Sequence, residues 1–195
     1  MSPRIAVLLN TLGLYAICVV SLEAFFFQLT QQELPCPLCL LQRVAFTGLA
    51  VGPILTLRYG PKPSHYGVTI IAALAGAGIA ARQILLHIEP GDPGFGSAVL
   101  GYHFYTWAFI FFVVAIAACA AVLLFNEQFS GQDQPPPLGL FEHAAVWLVI
   151  GITLLNAASA LVECGFDFCP ANPVDYGYCI AQTRPKDLRP LPSNT

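Results

Sequence analysis

Charged side chains are scarce in this chain of 195 residues, where Asp, Glu, Lys and Arg make up 10% and hydrophobic residues 56%. A soluble domain usually carries about 25% charged residues, so these charges are too few to cover a water-facing surface. The formal net charge is only −3, and the sequence contains no basic run that would bind nucleic acid. Its single methionine also argues against a methionine-rich copper path. These shortages indicate a protein of the lipid bilayer that does not bind nucleic acid.

Long apolar stretches make up most of the sequence. About 20 apolar residues cross the hydrocarbon core of a bilayer, and the sequence predicts spans over roughly residues 5–28, 40–57, 66–87, 101–125 and 143–162. The first stretch is too long for the apolar region of a cleavable signal, and no small-residue cleavage site follows it. We therefore expect an all-α fold, an integral membrane helical bundle with five transmembrane helices.

Basic residues suggest the orientation of these spans. Arg4 precedes the first span, and Arg58 and Lys62 lie between the second and third. The positive-inside rule assigns these three residues to the cytoplasmic side. The loop that contains Cys36 and Cys39 would then face the opposite side, together with the tail that follows the fifth span.

The segment Cys36-Pro37-Leu38-Cys39 carries the clearest chemical signal. Proline suits the first position of a helix and keeps the preceding residue extended. We expect the second span to begin at Pro37, which puts Cys39 in its first turn. Free N–H groups and the positive end of the helix dipole favour a thiolate there. Arg43 follows Cys39 by four residues and lies on the same helix face.

Other interpretations of this pair remain open. The two cysteines could form a purely structural disulfide, or they could bind a metal, although one C-x-x-C is a weak zinc signal because structural zinc usually takes four ligands. Arg43 could support a thiolate or hydrogen-bond a quinone carbonyl, or it could reach the lipid headgroups. The corresponding functions are a thiol oxidoreductase, which we expect, a non-catalytic membrane subunit with structural disulfides, and a metal or thiol transporter.

Residues 35–43, Pro-Cys-Pro-Leu-Cys-Leu-Leu-Gln-Arg, resemble the family of bacterial disulfide bond formation protein B, DsbB. That family has a P-C-x-x-C-x-x-x-R motif between its first two spans. The segment Ala81-Arg82-Gln83, followed by His87, is also similar, and the likeness covers roughly residues 5–125.

The resemblance implies a four-helix core in the bacterial inner membrane, with redox cysteines that face the periplasm. Such a core binds ubiquinone or menaquinone and takes electrons from a periplasmic thioredoxin-like thiol oxidase. By position, Cys39 would lie next to the quinone and Cys36 would exchange with a second disulfide. Arg43 would be the quinone-associated arginine, and Arg82 and His87 are further candidates for cofactor binding.

The sequence departs from the family in two places. The best-known members carry a second cysteine pair between their third and fourth spans, but residues 89–100 contain no cysteine here. In addition, this chain has an apparent fifth span and a tail with Cys164, Cys169 and Cys179. We name Cys164 and Cys169 as the candidate replacement for the missing pair. Three cysteines allow three single disulfides, so their pairing stays open, and a tail disulfide could also be only structural.

These features divide the chain into three expected regions. Residues 1–125 form the quinone-reducing four-helix core, residues 126–163 a loop and the fifth helix, and residues 164–195 an extracytoplasmic tail.

Overall fold

The computed structural model describes residues 2–31, 34–129 and 137–165, and these ranges contain five long α-helices. The helices are α1 (Pro3–Thr30), α2 (Pro37–Tyr59), α3 (Pro63–Leu86), α4 (Phe104–Leu123) and α5 (Leu140–Cys164). All five are long and apolar enough to cross a membrane. The predicted all-α membrane bundle with five spans is therefore confirmed.

The fourth helix begins three residues after the approximate start that the sequence predicts at residue 101. Two short antiparallel strands, β1 (Ala98–Val99) and β2 (Tyr102–His103), form a hairpin before α4. Its turn contains Leu100 at φ 52° and Gly101 at φ 83°, which are left-handed conformations outside the range of a right-handed helix. The helix consequently begins at residue 104, although the apolar sequence starts earlier.

Glycines allow close contacts between α2, α3 and α4. Gly52 on α2 lies against the backbone carbonyl of His65 on α3. Gly76 on α3 lies directly under the ring of Phe112 on α4, and that ring stacks on Phe46 of α2 with the centroids 4.5 Å apart. Small residues commonly let helix backbones approach in membranes, where packing replaces the hydrophobic driving force. These contacts bring the three helices into one unit.

Helix α5 packs against α1 and α2 and runs parallel to α1. Near its start, the carbonyl oxygen of Phe141 accepts a hydrogen bond from the Tyr15 hydroxyl at 3.0 Å. Near its end, Ser159 Oγ accepts a hydrogen bond from Gln28 Nε2 at 3.1 Å. The C-terminal end of α5 therefore lies at the same end of the bundle as the start of α2, which holds the cysteine pair.

A buried chain of polar groups joins helices at the opposite end of the bundle. The Tyr66 hydroxyl accepts a hydrogen bond from Asn10 Nδ2 at 3.1 Å and donates one to Gln128 Oε1 at 3.2 Å. Gln128 belongs to a short 3₁₀ helix, Asn126–Phe129, that follows α4. These contacts connect α1 and α3 with the segment after α4, so both ends of the bundle are held by side-chain hydrogen bonds.

Enlarging Gly76 should destabilise the bundle. A Gly76→Ala side chain would overlap the Phe112 ring, and overpacking of this kind costs about 1–3 kcal/mol. Gly78→Ala is the matched control on the same helix, because nothing lies within 4 Å of the position of its Cβ. Titration with sodium dodecyl sulfate in detergent micelles, followed by circular dichroism, should show a lower midpoint only for Gly76→Ala. Equal midpoints for the two variants would contradict the close packing of α3 on α4.

Candidate functional site

The two cysteines lie at the N-terminal end of α2, as the proline pattern predicts. Cys36 is extended, with φ −70° and ψ 162°, and caps the helix that begins at Pro37. Its sulfur accepts a hydrogen bond from the backbone N–H of Cys39 at 3.1 Å. Cys36 is buried and Cys39 is half-buried, and both thiols are free. The two sulfurs are thus placed side by side at the start of a membrane helix.

The side-chain amide of Gln83 on α3 faces both sulfurs. Its Nε2 lies 3.3 Å from the sulfur of Cys36 and 3.6 Å from that of Cys39. Its Oε1 accepts a hydrogen bond of 2.7 Å from Gln42 Nε2, which fixes the orientation of the amide. Gln83 is only 1% exposed. A buried N–H donor in this position stabilises negative charge on sulfur.

The two sulfurs have different electrostatic surroundings. The adjacent sulfur of Cys39, together with burial, raises the pKa of the Cys36 thiol far above its ordinary value. Cys36 consequently keeps its proton near neutral pH. The negative charge of a reduced pair then belongs on Cys39, whose backbone lies in the first turn of α2, near the positive end of the helix dipole.

The guanidinium of Arg43 is held by α1. Its Nη1 donates to Gln28 Oε1 at 2.9 Å, and its Nη2 donates to the carbonyl of Ala24 at 3.3 Å. It also lies over the ring of Phe25, 4.8 Å from the centroid. These contacts direct the arginine to the helix interface and not to lipid headgroups. Arg43 and Cys39 line the same cavity.

This cavity has a volume of about 720 Å³ and lies among α1, α2, α4 and the hairpin, within the usual range of about 300–1,000 Å³ for ligand pockets. Part of the cavity wall consists of aromatic side chains, which include Phe46, Phe104 and Trp107. Arg43 supplies a fixed cation and Cys39 a sulfur. This donor set fits a flat apolar ring with carbonyl oxygens, which is the chemistry of a quinone.

Two predicted cofactor-binding residues have other surroundings. Arg82 is exposed. Among the described residues that line the cavity, neither Arg82 nor His87 is present. His87 Nδ1 lies 3.1 Å from Asp92 Oδ2, and its ring stacks on Tyr105, which does line the cavity. The backbone N–H of Gly94 and the His87 side chain hold the pKa of Asp92 below its usual value. Cofactor binding by Arg82 and His87 stays a prediction.

The candidate exchange cysteines are only partly described. Cys164 is the last residue of α5, at the same end of the bundle as Cys36, and it is disulfide-bonded. Cys169 and Cys179 lie outside the described residues. The pairing of the tail cysteines and the exchange role of Cys164 and Cys169 therefore stay predictions.

Three functional candidates were not named from the sequence. Gln83 was noted only within the segment that resembles the family, and the sequence did not single out Gln28 or Glu163. All three are polar side chains within an apolar stretch or directly after one, and such residues in membrane spans are functional suspects by default. Glu163 is 1% exposed, although it lies near the end of a membrane helix.

Comparisons with known proteins point to one protein family. Residues 4–100 match the profile of the family described as Disulfide bond formation protein DsbB. The chain is 42% identical over 86 residues to Disulfide bond formation protein B of Xanthomonas axonopodis pv. citri (strain 306), and these residues are 42% of this chain and 50% of that protein. It is 33% identical over 86 residues to the protein of that name from Aromatoleum aromaticum (strain DSM 19018 / LMG 30748 / EbN1). These residues cover 42% of this chain and 52% of that protein.

The aligned segments cover about half the length of these relatives. The family profile, over residues 4–100, includes the cysteine pair and Gln83 and stops before α4 and α5. No solved structure matches the chain.

Replacing Gln83 with leucine should slow alkylation of Cys39 in the reduced protein. The variant loses the N–H donor beside both sulfurs, and a hydrogen bond to a charged group contributes about 1.5–3 kcal/mol. We expect a rate that is lower by about tenfold or more at neutral pH. Leu85→Ala is the control, because that side chain is 65% exposed on the same turn of α3. The rate is measured by maleimide labelling in a Cys36→Ser background, and an unchanged rate would exclude Gln83 as a donor to the thiolate.

Proposed function

Because the chain belongs to the DsbB family of disulfide bond formation proteins, we propose that it is a membrane thiol:quinone oxidoreductase. It oxidises a thioredoxin-like dithiol protein on the periplasmic side of the bacterial inner membrane and passes the electrons through Cys36 and Cys39 to ubiquinone or menaquinone. The observation that carries this proposal is the position of Cys39 in the wall of an aromatic cavity, which also contains Arg43.

The local chemistry supports the role of Cys39 as the electron-donating sulfur. Disulfide exchange proceeds through attack by a thiolate, and the start of α2 with the Gln83 amide favours a thiolate on Cys39. Arg43 provides a positive charge at the same cavity. Cys36 has the complementary role, because its retained thiol proton leaves only when the disulfide closes.

The cavity supports a quinone as the electron acceptor. Its aromatic wall would hold the ring, and Arg43 would donate hydrogen bonds to a carbonyl oxygen. The quinone supplies a two-electron acceptor, which matches one dithiol. The protein orients the acceptor beside Cys39 and keeps the surroundings apolar.

The tail cysteines are the proposed entry point for electrons. Residues 89–100 lack the cysteine pair of the best-known family members, so another disulfide must meet the partner's dithiol. Cys164 lies at the same end of the bundle as Cys36 and is disulfide-bonded, which supports its assignment to this step with Cys169. Residues 1–125 would then reduce the quinone, residues 126–163 would position the tail, and residues 164–195 would meet the partner.

Replacing Cys39 with serine should abolish quinone reduction. The purified protein in detergent is supplied with a small dithiol and a short-chain quinone, and quinone absorbance is followed. We expect the rate to fall to that measured without protein, because the donor sulfur is lost. Cys119→Ser is the matched control, since Cys119 is a free, half-buried thiol on α4 outside this cavity. Retained turnover in Cys39→Ser would favour a structural role for the pair, and bound metal in the purified protein would favour a transporter.

Serine variants of Cys164 and Cys169 should separate the two halves of the relay. Each variant should still reduce quinone with a small dithiol, because Cys36 and Cys39 are intact. Oxidation of a reduced thioredoxin-like protein should fall to background, since the exchange disulfide is missing. The same two assays on Cys179→Ser identify the third cysteine's role. Normal partner oxidation by both the Cys164 and the Cys169 variant would show that the tail only has a structural role.

A further inference from the structure

Among the residues that the structure describes, the carboxyl group of Glu163 is buried without a hydrogen-bond partner. This residue lies in the last turn of α5 and is 1% exposed, and neither of its oxygens is hydrogen-bonded within the part of the chain that the structure describes. Most buried polar side chains have at least one partner, and an unpartnered one calls for an explanation such as a catalytic role. A buried carboxylate is costly without a nearby positive charge, whereas a protonated carboxyl costs much less.

The groups around Glu163 belong to the redox site. Gln28 on α1 joins α2 and α5 here, because its Oε1 accepts a hydrogen bond from Arg43 Nη1 at 2.9 Å and its Nε2 donates one to Ser159 Oγ at 3.1 Å. Ser159 lies one turn before Glu163 on the same face of α5, and the charges of Arg43 and Cys39 act on the buried carboxyl.

On α1, the helix that packs beside α5, the acidic residue Glu23 is exposed and lines the cavity. Cys164 follows Glu163 directly and does not titrate, because it is disulfide-bonded. Arg43, Cys39 and Glu163 therefore form a charge cluster in which one fixed cation faces two possible anions.

Charge balance in this cluster depends on the redox state of the cysteines. When Cys36 and Cys39 form a disulfide, no thiolate exists, and a Glu163 carboxylate balances Arg43. When the pair is reduced, the Cys39 thiolate balances Arg43, and a carboxylate would add an uncompensated charge. Uncompensated charge is expensive in an apolar interior. The neutral arrangement of the reduced state is a thiolate on Cys39 with a protonated Glu163.

We propose that Glu163 takes up a proton when the Cys36–Cys39 disulfide is reduced and releases it when the disulfide forms again. This inference rests on the proposed function and assigns the fifth helix a part in it. The helix lies outside residues 4–100, which match the family profile.

The electrons and protons balance in both directions. A dithiol partner gives up two electrons and two protons as its own disulfide forms. The two electrons break the Cys36–Cys39 bond, one proton goes to the Cys36 sulfur and the other to the Glu163 carboxylate, and Cys39 remains a thiolate. On reoxidation, two electrons leave the sulfurs, and the protons leave Cys36 and Glu163. The quinone of the proposed function would accept the two electrons and the two protons.

Infrared difference spectroscopy tests the proton on Glu163 directly. The detergent-solubilised protein is reduced with a small dithiol, and spectra of the reduced and oxidised forms are subtracted. A carbonyl band of a protonated carboxyl should appear on reduction and be absent in Glu163→Gln. Glu142→Gln is the matched control on the same helix, because Glu142 only caps the opposite end, where its Oε2 accepts the Gly139 N–H at 2.8 Å. A band that persists in Glu163→Gln, or never appears in the unaltered protein, overturns the proposal.

The pH dependence of the Cys36–Cys39 potential provides a second readout. Two protons accompany two electrons in the unaltered protein, so its potential should change with pH twice as steeply around neutrality as that of Glu163→Gln, which couples one proton. Equal slopes would overturn the proposal even if activity fell. If Glu163→Gln does not fold, Glu163→Asp keeps a carboxyl and should retain both the band, shifted in frequency, and the steep slope; loss of either would count against the proposal.

These measurements remain informative if the proposed function fails. They require only that the cysteine pair can be reduced and oxidised chemically, and they need no quinone. A protein that shows the band and the steep slope but does not reduce quinone would contradict the proposed acceptor while supporting the role of Glu163.

Discussion

The side chain of Arg43 is the constraint on which the rest of the site depends. A guanidinium remains charged under all ordinary conditions, so placing it between membrane helices requires partners for its donors and a compensating charge. The Gln28 amide and the Ala24 carbonyl on α1 meet the first need. A compensating charge can come from Cys39 or from Glu163, whose charges act on Arg43. Hydrogen bonds from α1 and compensating charges on α2 and α5 thus surround Arg43 at one end of the bundle.

Close helix packing makes this arrangement rigid. The approach of α3 to α2 at Gly52, and of α4 to α3 at Gly76, lets the three helices pack along their length. One consequence is that Gln83 reaches both sulfurs from α3 while Gln42 holds its amide in place. A buried hydrogen-bond network of this kind holds its members in one arrangement because each unsatisfied group would be costly. The geometry of the cysteine pair is therefore supported from outside its own helix.

The fifth helix brings a second set of functional groups to the same end. Because α5 runs parallel to α1, its final turn arrives beside the start of α2 with Glu163 buried and Cys164 disulfide-bonded. A chain without cysteines between residues 89 and 100 thus has another disulfide at the same end of the bundle as Cys36. Family membership rests on the first half of the chain, whereas this second half shapes the proposed exchange step and the proposed proton uptake.

The sequence by itself determined the membrane helices, the start of α2 and the position of Cys39 in its first turn, because hydropathy, proline geometry and helix periodicity act over short distances. It also pointed to Arg43 through a spacing of four residues. It was misleading at residue 101, where positive φ angles at Leu100 and Gly101 interrupt an apolar stretch. Only the tertiary structure decided that Gln83 contacts both sulfurs and that Glu163 is buried at their end of the bundle, because these positions depend on how α3 and α5 rotate and tilt against α2.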